Sequence, residues 1–330
     1  MSTTTLTRPL VTSLVEDAVT APSMHNAQPW TFVHRTGTDT IELHGDPARE
    51  MPREDPDRRA LHLGCGAALF GLRVAAAHHG RRAAVQLLPD ADDPWCLAEV
   101  RLSGATDEHD EELAAFRPAL YERHSSRFPF SEERIPSEIL DGLRAAAFLE
   151  GCRLVVPGPW HTDTVLELVH DSERFESADP SIRDEIAAWT RTGAAGEGAV
   201  TEGVPAYAFG PRQYDVTSPV RDLGSHLRIP GRPSAHFEKS PQIALLGTVE
   251  DGPAEWLKAG QALHRVLLRA TLDGLSTSLT SQPLEWPELR PVARDPGSTT
   301  GYVQMMIRLG YGPRGRATPR RSVSDVLVFA

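Results

Sequence analysis

Ala21-Pro22-Ser23-Met24-His25-Asn26-Ala27-Gln28-Pro29-Trp30 lies between a helical pattern and a strand pattern, and the rest of the chain is organised around it. A segment this dense in Pro, Ser and Asn is a loop whose backbone is set by turn chemistry. It ends in a large aromatic at the mouth of a strand. Loops on rigid scaffolds often hold ligands. Ser23 Oγ, the Asn26 amide and the Gln28 amide fall within six positions, and Asp, Glu, Lys and Arg are absent. That donor set suits a flat, neutral, hydrogen-bonding partner better than a phosphate or a metal. The plainer alternative is a well-capped connection between two elements.

Composition narrows the field. The 330 residues are 40% apolar, enough for a sizeable core and too many for a disordered chain. The net charge of −11 argues against a nucleic-acid surface, although local basic clusters can still bind a small anion. Cys65, Cys96 and Cys152 are odd in number and lack a Cys-x-x-Cys pair, so neither a disulfide framework nor a zinc site is expected. Met1–Pro9 lacks the apolar core of a signal peptide, and the apolar run Ala67–Ala77 is too short for a bilayer. The expectation is a cytoplasmic protein without membrane or nucleic-acid partners.

Outward from the loop, residues 8–20 read as a helix, with strands over Trp30–Arg35 and Thr40–His44. Arg59–Gly80 reads as a long apolar helix, followed by strands at 83–88 and 96–102 and a helix over Glu111–Leu120. The run Arg123-His124-Ser125-Ser126-Arg127 comes next, then a helix at Pro136–Phe148, a strand at 153–156 and one or two helices over 160–192. Residues 193–235 hold many Gly and Pro with little periodicity, and loops longer than about 12–15 residues are usually functional or disordered. A strand at 242–248, a helix at Ala254–Gly274 and a strand at Tyr302–Leu309 close the pattern. The two long helices overlay: Gly66 to Gly260 and Gly80 to Gly274 are both separated by 194 positions. With a helix before each, this suggests an internal duplication. Gly64-Cys65-Gly66 lies inside a helical pattern and is not a dinucleotide fingerprint; His78, His79 and His161 have no metal-ligand spacing.

The opening stretch resembles the Pro-Ser-Ser-x-Asn-x-Gln-Pro-Trp motif of the FMN-dependent nitroreductase family. Pro22, Ser23, Asn26, Gln28, Pro29, Trp30 and the apolar Phe32 match, and Met24 departs from the usual second Ser. Arg123-His124-Ser125-x-Arg127 resembles the family's phosphate motif, and Arg320-Arg321 its C-terminal basic pair. Phosphate calls for fixed positive charge with hydroxyl or N–H donors. Arg127 is similar to the basic residue near the flavin N1/O2 edge. Ser281 and Gln282 stand where the family has a Glu-Gly pair beside flavin N5. In that family one FMN uses the basic motif of one subunit and the Asn loop of the other. Here the first half carries only the Asn loop and the second only the basic motif.

The resemblance is closest to the single-chain, internally duplicated, lidded proteins of the Acg type. It implies an α+β, nitroreductase-like fold of two fused halves, 1–120 and 121–330, with a lid insertion at about 193–235. One FMN would be bound by Pro22, Ser23, Met24 and Asn26 on one side, and by Arg123, His124, Ser125, Arg127, Ser281, Gln282 and Arg320 or Arg321 on the other. Gly196-Glu197-Gly198 and Gly210-Pro211 would be hinges, while Tyr207, Phe209 and Tyr214 would cover the ring. The activity implied is ping-pong hydride transfer from NAD(P)H through flavin N5 to a small electron acceptor, of quinone, nitroaromatic or enone type, with no catalytic protein nucleophile and no metal. A monomer or weak homodimer is expected. An FMN-sequestering protein with little turnover, or a colourless interaction module, are the alternatives.

Overall fold

The structure, a computed structural model, describes residues 6–104, 107–192, 201–214, 218–225, 227 and 229–330. The elements in chain order begin with α1 (Arg8–Ala18), β1 (Trp30–His34), β2 (Thr40–Gly45), α2 (Arg59–His78), β3 (Arg82–Leu87) and β4 (Cys96–Ser103). Then come α3 (Glu108–Ala114), α4 (Arg117–Glu122), α5 (Ser137–Leu149), β5 (Arg153–Val155), α6 (Pro159–Ala178) and α7 (Pro180–Ala188). Four two-residue strands follow: β6 (Thr190–Arg191), β7 (Val204–Pro205), β8 (Arg212–Gln213) and β9 (Ser234–Ala235). The chain closes with β10 (Gln242–Thr248), α8 (Pro253–Leu272), β11 (Ser276–Thr280), β12 (Tyr302–Gly310), α9 (Val323–Val326) and β13 (Leu327–Phe329).

The class is α+β, as expected. One sheet runs β13-β1-β2-β4-β3 and the other β11-β12-β10-β5. The first packs Ile41, Leu43, Leu97 and Val100 against α1 and α2 on one face. The second is covered on both faces. Ala244 and Leu246 of β10 join α5 and α8, whereas Ile243 and Leu245 join Val165 and Leu168 of α6. A strand buried on both sides reads as a continuous apolar run, and β10 does.

α2 and α8 form the centre, with α1 packed on α2 and α5 on α8. The repeat glycines explain the contact. A Cβ on Gly66 would lie 2.3 Å from Leu257 O, and one on Gly260 2.2 Å from Leu63 O, so only glycine lets the two backbones touch. Gly80 and Gly274 end their helices at φ +64° and +79°, the left-handed conformation of a C-terminal helix cap. α2 is long and apolar enough to cross a membrane, but 94% of its apolar window is buried in the protein.

Several sequence expectations need correction. The helix expected at Glu111–Leu120 is two helices, because Pro118 has no N–H to continue the first and instead opens α4. Of the one or two helices expected over 160–192 there are two, α6 and α7, because Asp179 lies extended before Pro180 and caps Ser181 N at 2.8 Å. Residues 276–280, to which the sequence pattern assigns no element, form β11, paired antiparallel with β12. The C-terminal segment joins the sheet of the N-terminal strands: β13 adds to the first sheet, parallel to β1, with Phe32 opposite Leu327.

Candidate functional site

A cavity opens where the N-terminal half of α2 passes β11 and β12. Ala60, Leu63 and Gly64 of α2, Leu263 of α8 and Met305 of β12 give it an apolar wall, with Ser278 of β11 beside them. The opening stretch forms a second wall through Pro22, Ser23, Met24, His25 and Asn26. Gly64 makes room for that loop, since a Cβ there would lie 3.2 Å from Ser23 Cβ. Ser23 Oγ accepts from Gln28 N at 2.9 Å and closes the turn, and Cys65 Sγ donates to Pro29 O at 3.1 Å. His25, Asn26 and Gln28 all have positive φ, so the loop keeps a strained shape that its surroundings must hold.

The third wall is basic. Arg123, His124, Ser125 and Arg127 leave the end of α4 and lie along β11, where Ser125 bridges Thr277 and Ser126 N donates to Thr277 O at 2.7 Å. Arg320 enters from the C-terminal tail, next to Thr318. Arg123 is buried; among the described residues its guanidinium donates to Thr20 O at 3.2 Å, and its Nε has no partner. Arg127 donates to Ala208 O at 3.1 Å. Arg320 donates to Val19 O, Thr20 O and Asn26 Oδ1. Among the described residues none of these three guanidiniums meets a carboxylate.

Burial and the neighbouring Arg320 lower Arg123 to about 9. Burial and Arg221 lower Arg127 to about 10, and burial lowers Arg320 to about 10. Burial, Arg123 and Arg320 push His124 down to about 4. Arginine stays protonated in proteins, so these shifts mark positive charge held without a counterion. An anion entering this end would relieve it.

Ten of the twelve candidate residues line the cavity: Pro22, Ser23, Met24, Asn26, Arg123, His124, Ser125, Arg127, Ser281 and Arg320. Gln282 does not; its amide turns to Glu176 at 3.2 Å. Arg321 does not either. It pairs with Asp46 at 3.2 Å and donates to Asp325 O, fastening the tail to the body. Of the basic pair, Arg320 alone reaches the cavity. The amides expected to face a ligand are taken by the protein. Asn26 Nδ2 donates to Gly203 O and Pro319 O at 3.1 and 3.0 Å, and Gln28 Nε2 to Thr201 O at 2.7 Å.

The segment expected as an insertion closes part of the cavity through Val204, Arg221 and Leu223. Its aromatics do not. Phe209 is buried in a small core with Val204, Ala208 and Leu223, Tyr214 stacks on His236, and Tyr207 Oη donates to Ala317 O. Gly210 packs against Arg127, where a Cβ would lie 2.1 Å from Arg127 O, so Gly210-Pro211 is a docked contact and not a free hinge. Gly196-Glu197-Gly198 lie outside the described residues.

Sequence reasoning missed the ion cluster behind this wall. Arg221 meets Glu54, Glu176 and Glu285, and Glu54 also holds His25 Nε2 at 3.0 Å. Burial opposes ionisation of Glu54, but His25 and Arg221 overcome it and hold the carboxyl down to about 2. Burial, partly offset by Arg221, pushes Glu285 up to about 8. These residues are scattered in sequence and carried no local signal.

A protein of Mycobacterium tuberculosis, acg, is 30% identical over 337 aligned residues, which span 99% of this chain and 97% of the relative. The chain belongs to the Acg-type, nitroreductase-like family. The name of that relative carries an inferred NAD(P)H nitroreductase activity, as does that of a second M. tuberculosis protein, 31% identical over 94% of this chain and 88% of its own length. No family model matches the chain. Among solved structures, the FMN-dependent nitroreductase NfnB of Mycobacterium smegmatis, in complex with NADPH, aligns with 66% of this chain and 99% of its own at 15% identity and a TM-score of 0.40. That likeness is too slight to place any residue. The Acg-type membership agrees with the resemblance read from the Asn loop and the basic run.

Proposed function

We propose that the cavity binds one FMN and that the chain is an FMN-dependent NAD(P)H oxidoreductase acting on a small acceptor of quinone, nitroaromatic or enone type. The carrying observation is a set of three cavity-lining arginines, Arg123, Arg127 and Arg320, that meet no carboxylate among the described residues, in a cavity with an apolar wall of Ala60, Leu63, Leu263 and Met305. A phosphomonoester with a flat ring matches that division. Arg123, Arg320 and the Ser125 hydroxyl would take the phosphate. Arg127 would supply positive charge toward the ring, and Ala60, Leu63, Met24 and Leu263 would sandwich it. The insertion, as a lid, would exclude water and restrict acceptor size. Bound FMN would supply the hydride chemistry, accepting from NAD(P)H and donating to the acceptor. In this reading the chain is two fused halves, 1–120 and 121–330, that share one site.

One feature favours a second reading, storage of FMN with little turnover. The insertion is tied to the body by Arg221, by Arg49 on Glu202 and by both amides of the motif loop. The deciding experiment is a visible spectrum of the purified protein with its phosphate content, then anaerobic NADPH titration. One flavin per chain that bleaches with NADPH is expected. Flavin that stays oxidised favours storage. A colourless protein that takes up no added FMN, or two flavins per chain, overturns the proposal.

A further inference from the structure

The outer face of the first sheet carries a cluster that takes no part in the cavity. Ile41 and Leu43 of β2 point into the core, so Glu42 and His44 lie together on the opposite face. In unbroken register His44 would oppose Leu97. The pairing shifts after Leu43–Ala98, and His44 opposes Cys96 instead. That irregularity brings a carboxylate, an imidazole and a thiol together, with one donor atom of each within 4.8 Å of the others. Glu42 and Cys96 are buried, at 9% and 6% exposure, and His44 is half-buried.

The cluster also has an outer ring. Arg35 Nε donates to Glu42 Oε1 at 2.6 Å, and Asp93 Oδ2 stands 3.9 Å from His44 Nδ1. Glu42 Oε2 and His44 Nε2 face each other at 3.1 Å. Glu42 Oε1 is thus engaged from outside and His44 Nδ1 has a carboxylate within ion-pair range, while Oε2 and Nε2 face each other beside Cys96. Metal-bound imidazoles and carboxylates are usually steadied in this way. The 3.1 Å gap is close to the separation of two ligands bound roughly 2.0–2.1 Å from one zinc ion.

We propose that Glu42, His44 and Cys96 form a binding site for zinc(II) or a similar borderline-soft divalent ion, with solvent in the fourth position. The donor set selects the metal class. Sulfur with imidazole suits zinc, and hard cations such as magnesium or calcium prefer all-oxygen sites. Binding releases the Cys96 proton as the metal–thiolate bond forms. The pattern Glu-x-His with a distant Cys is no zinc signature in sequence, and only the register of β2 on β4 assembles it. Asp93 stands 3.9 Å from the other ring nitrogen and is assigned as a positioning residue that closes on it when the metal binds.

The test uses the full-length protein with its flavin content measured, titrated with Co2+ alone and then with Zn2+. The expected result is one Co2+ per chain, giving tetrahedral d–d bands in the red, beyond flavin absorption, that Zn2+ displaces. Cys96→Ser and His44→Gln should each weaken binding by about 100-fold or more, and Asp93→Asn by about 10-fold. Cys152→Ser should bind as the parent does. Melting curves without metal check that each variant folds, and if Cys96→Ser does not, His44→Gln decides. No cobalt uptake, or full bands retained in Cys96→Ser or His44→Gln, overturns the proposal.

Discussion

Arg123 is the residue on which the anion argument turns. It is buried, carries an unpartnered Nε, and has Arg320 for a neighbour instead of a carboxylate. A guanidinium kept this way destabilises the empty protein and strengthens it once an anion binds. Arg123→Met should therefore move two quantities in opposite directions. FMN affinity should fall by about 1.5–3 kcal/mol, the worth of a hydrogen bond to a charged group. The melting temperature of the flavin-free protein should rise by about 2 °C or more. Flavin titration and calorimetry on both forms measure this; an empty protein that loses as much stability as the loaded one would show that Arg123 is only structural. Sequence revealed the residue types here but not which of two adjacent arginines matters. Neighbouring side chains on an extended segment point to opposite sides, so Arg320 reaches the cavity while Arg321 turns to Asp46. Nor could the sequence show that the Asn26 and Gln28 amides are used up by Gly203, Pro319 and Thr201, which are more than a hundred residues away.

At the scale of elements, the crossing of α2 and α8 and the cluster around Arg221 each make a prediction. Gly260→Ala gains about 1 kcal/mol of helix propensity. Its Cβ, however, would lie 2.2 Å from Leu63 O and 2.8 Å from Gly66 Cα, and backbone cannot yield as a side chain can. Separating the helices should cost more than the roughly 1–3 kcal/mol typical of overpacking, so the melting temperature should drop. A rise would mean that the helices part freely. In the ion cluster, Glu285 ionises at about 8 folded against 4.5 unfolded. Between those values the folded chain keeps a proton that the unfolded chain has lost, so this group's contribution falls as pH rises. Glu54 works the other way: held down to about 2, its contribution is lost as pH falls below 4.5. Glu285→Gln keeps the neutral form, so its melting temperature should decline less than that of the parent between pH 5 and pH 8, two values chosen to bracket roughly that interval. Parallel declines would contradict the assignment. The long helices and β10 were legible because their apolar periodicity is local. β11 and β13 were not, because a Ser/Thr-rich segment and a short tail become strands only through partners elsewhere, β12 and β1.

For the molecule as a whole, the question is what the insertion does. It forms cavity wall at Val204, Arg221 and Leu223, and it is fastened at separate points: Gly203 to Asn26, Thr201 to Gln28, Tyr207 to Ala317, and Arg221 to the carboxylate cluster. Arg123, Ser125 and Arg320 lie outside it, so the proposed phosphate site and the proposed lid belong to different parts of the chain. Replacing residues 193–235 with a short Gly-Ser bridge should then spare one and remove the other. The deletion also takes away Arg221, and leaving its acidic partners buried without it would cost roughly 3–5 kcal/mol. The shortened protein therefore needs Glu54→Gln, Glu176→Gln and Glu285→Gln, which keep the hydrogen-bonding shape without charge, and full-length protein with the same three changes is the reference. If the insertion is a lid, the shortened protein should retain FMN with at most a modest loss of affinity. NADPH should reduce that flavin faster than in the reference, and bulky quinones should become acceptors. Stopped-flow reduction and a quinone series measure both. Unchanged rates and an unchanged acceptor range, with flavin still bound, would mean that the segment braces the wall without gating it.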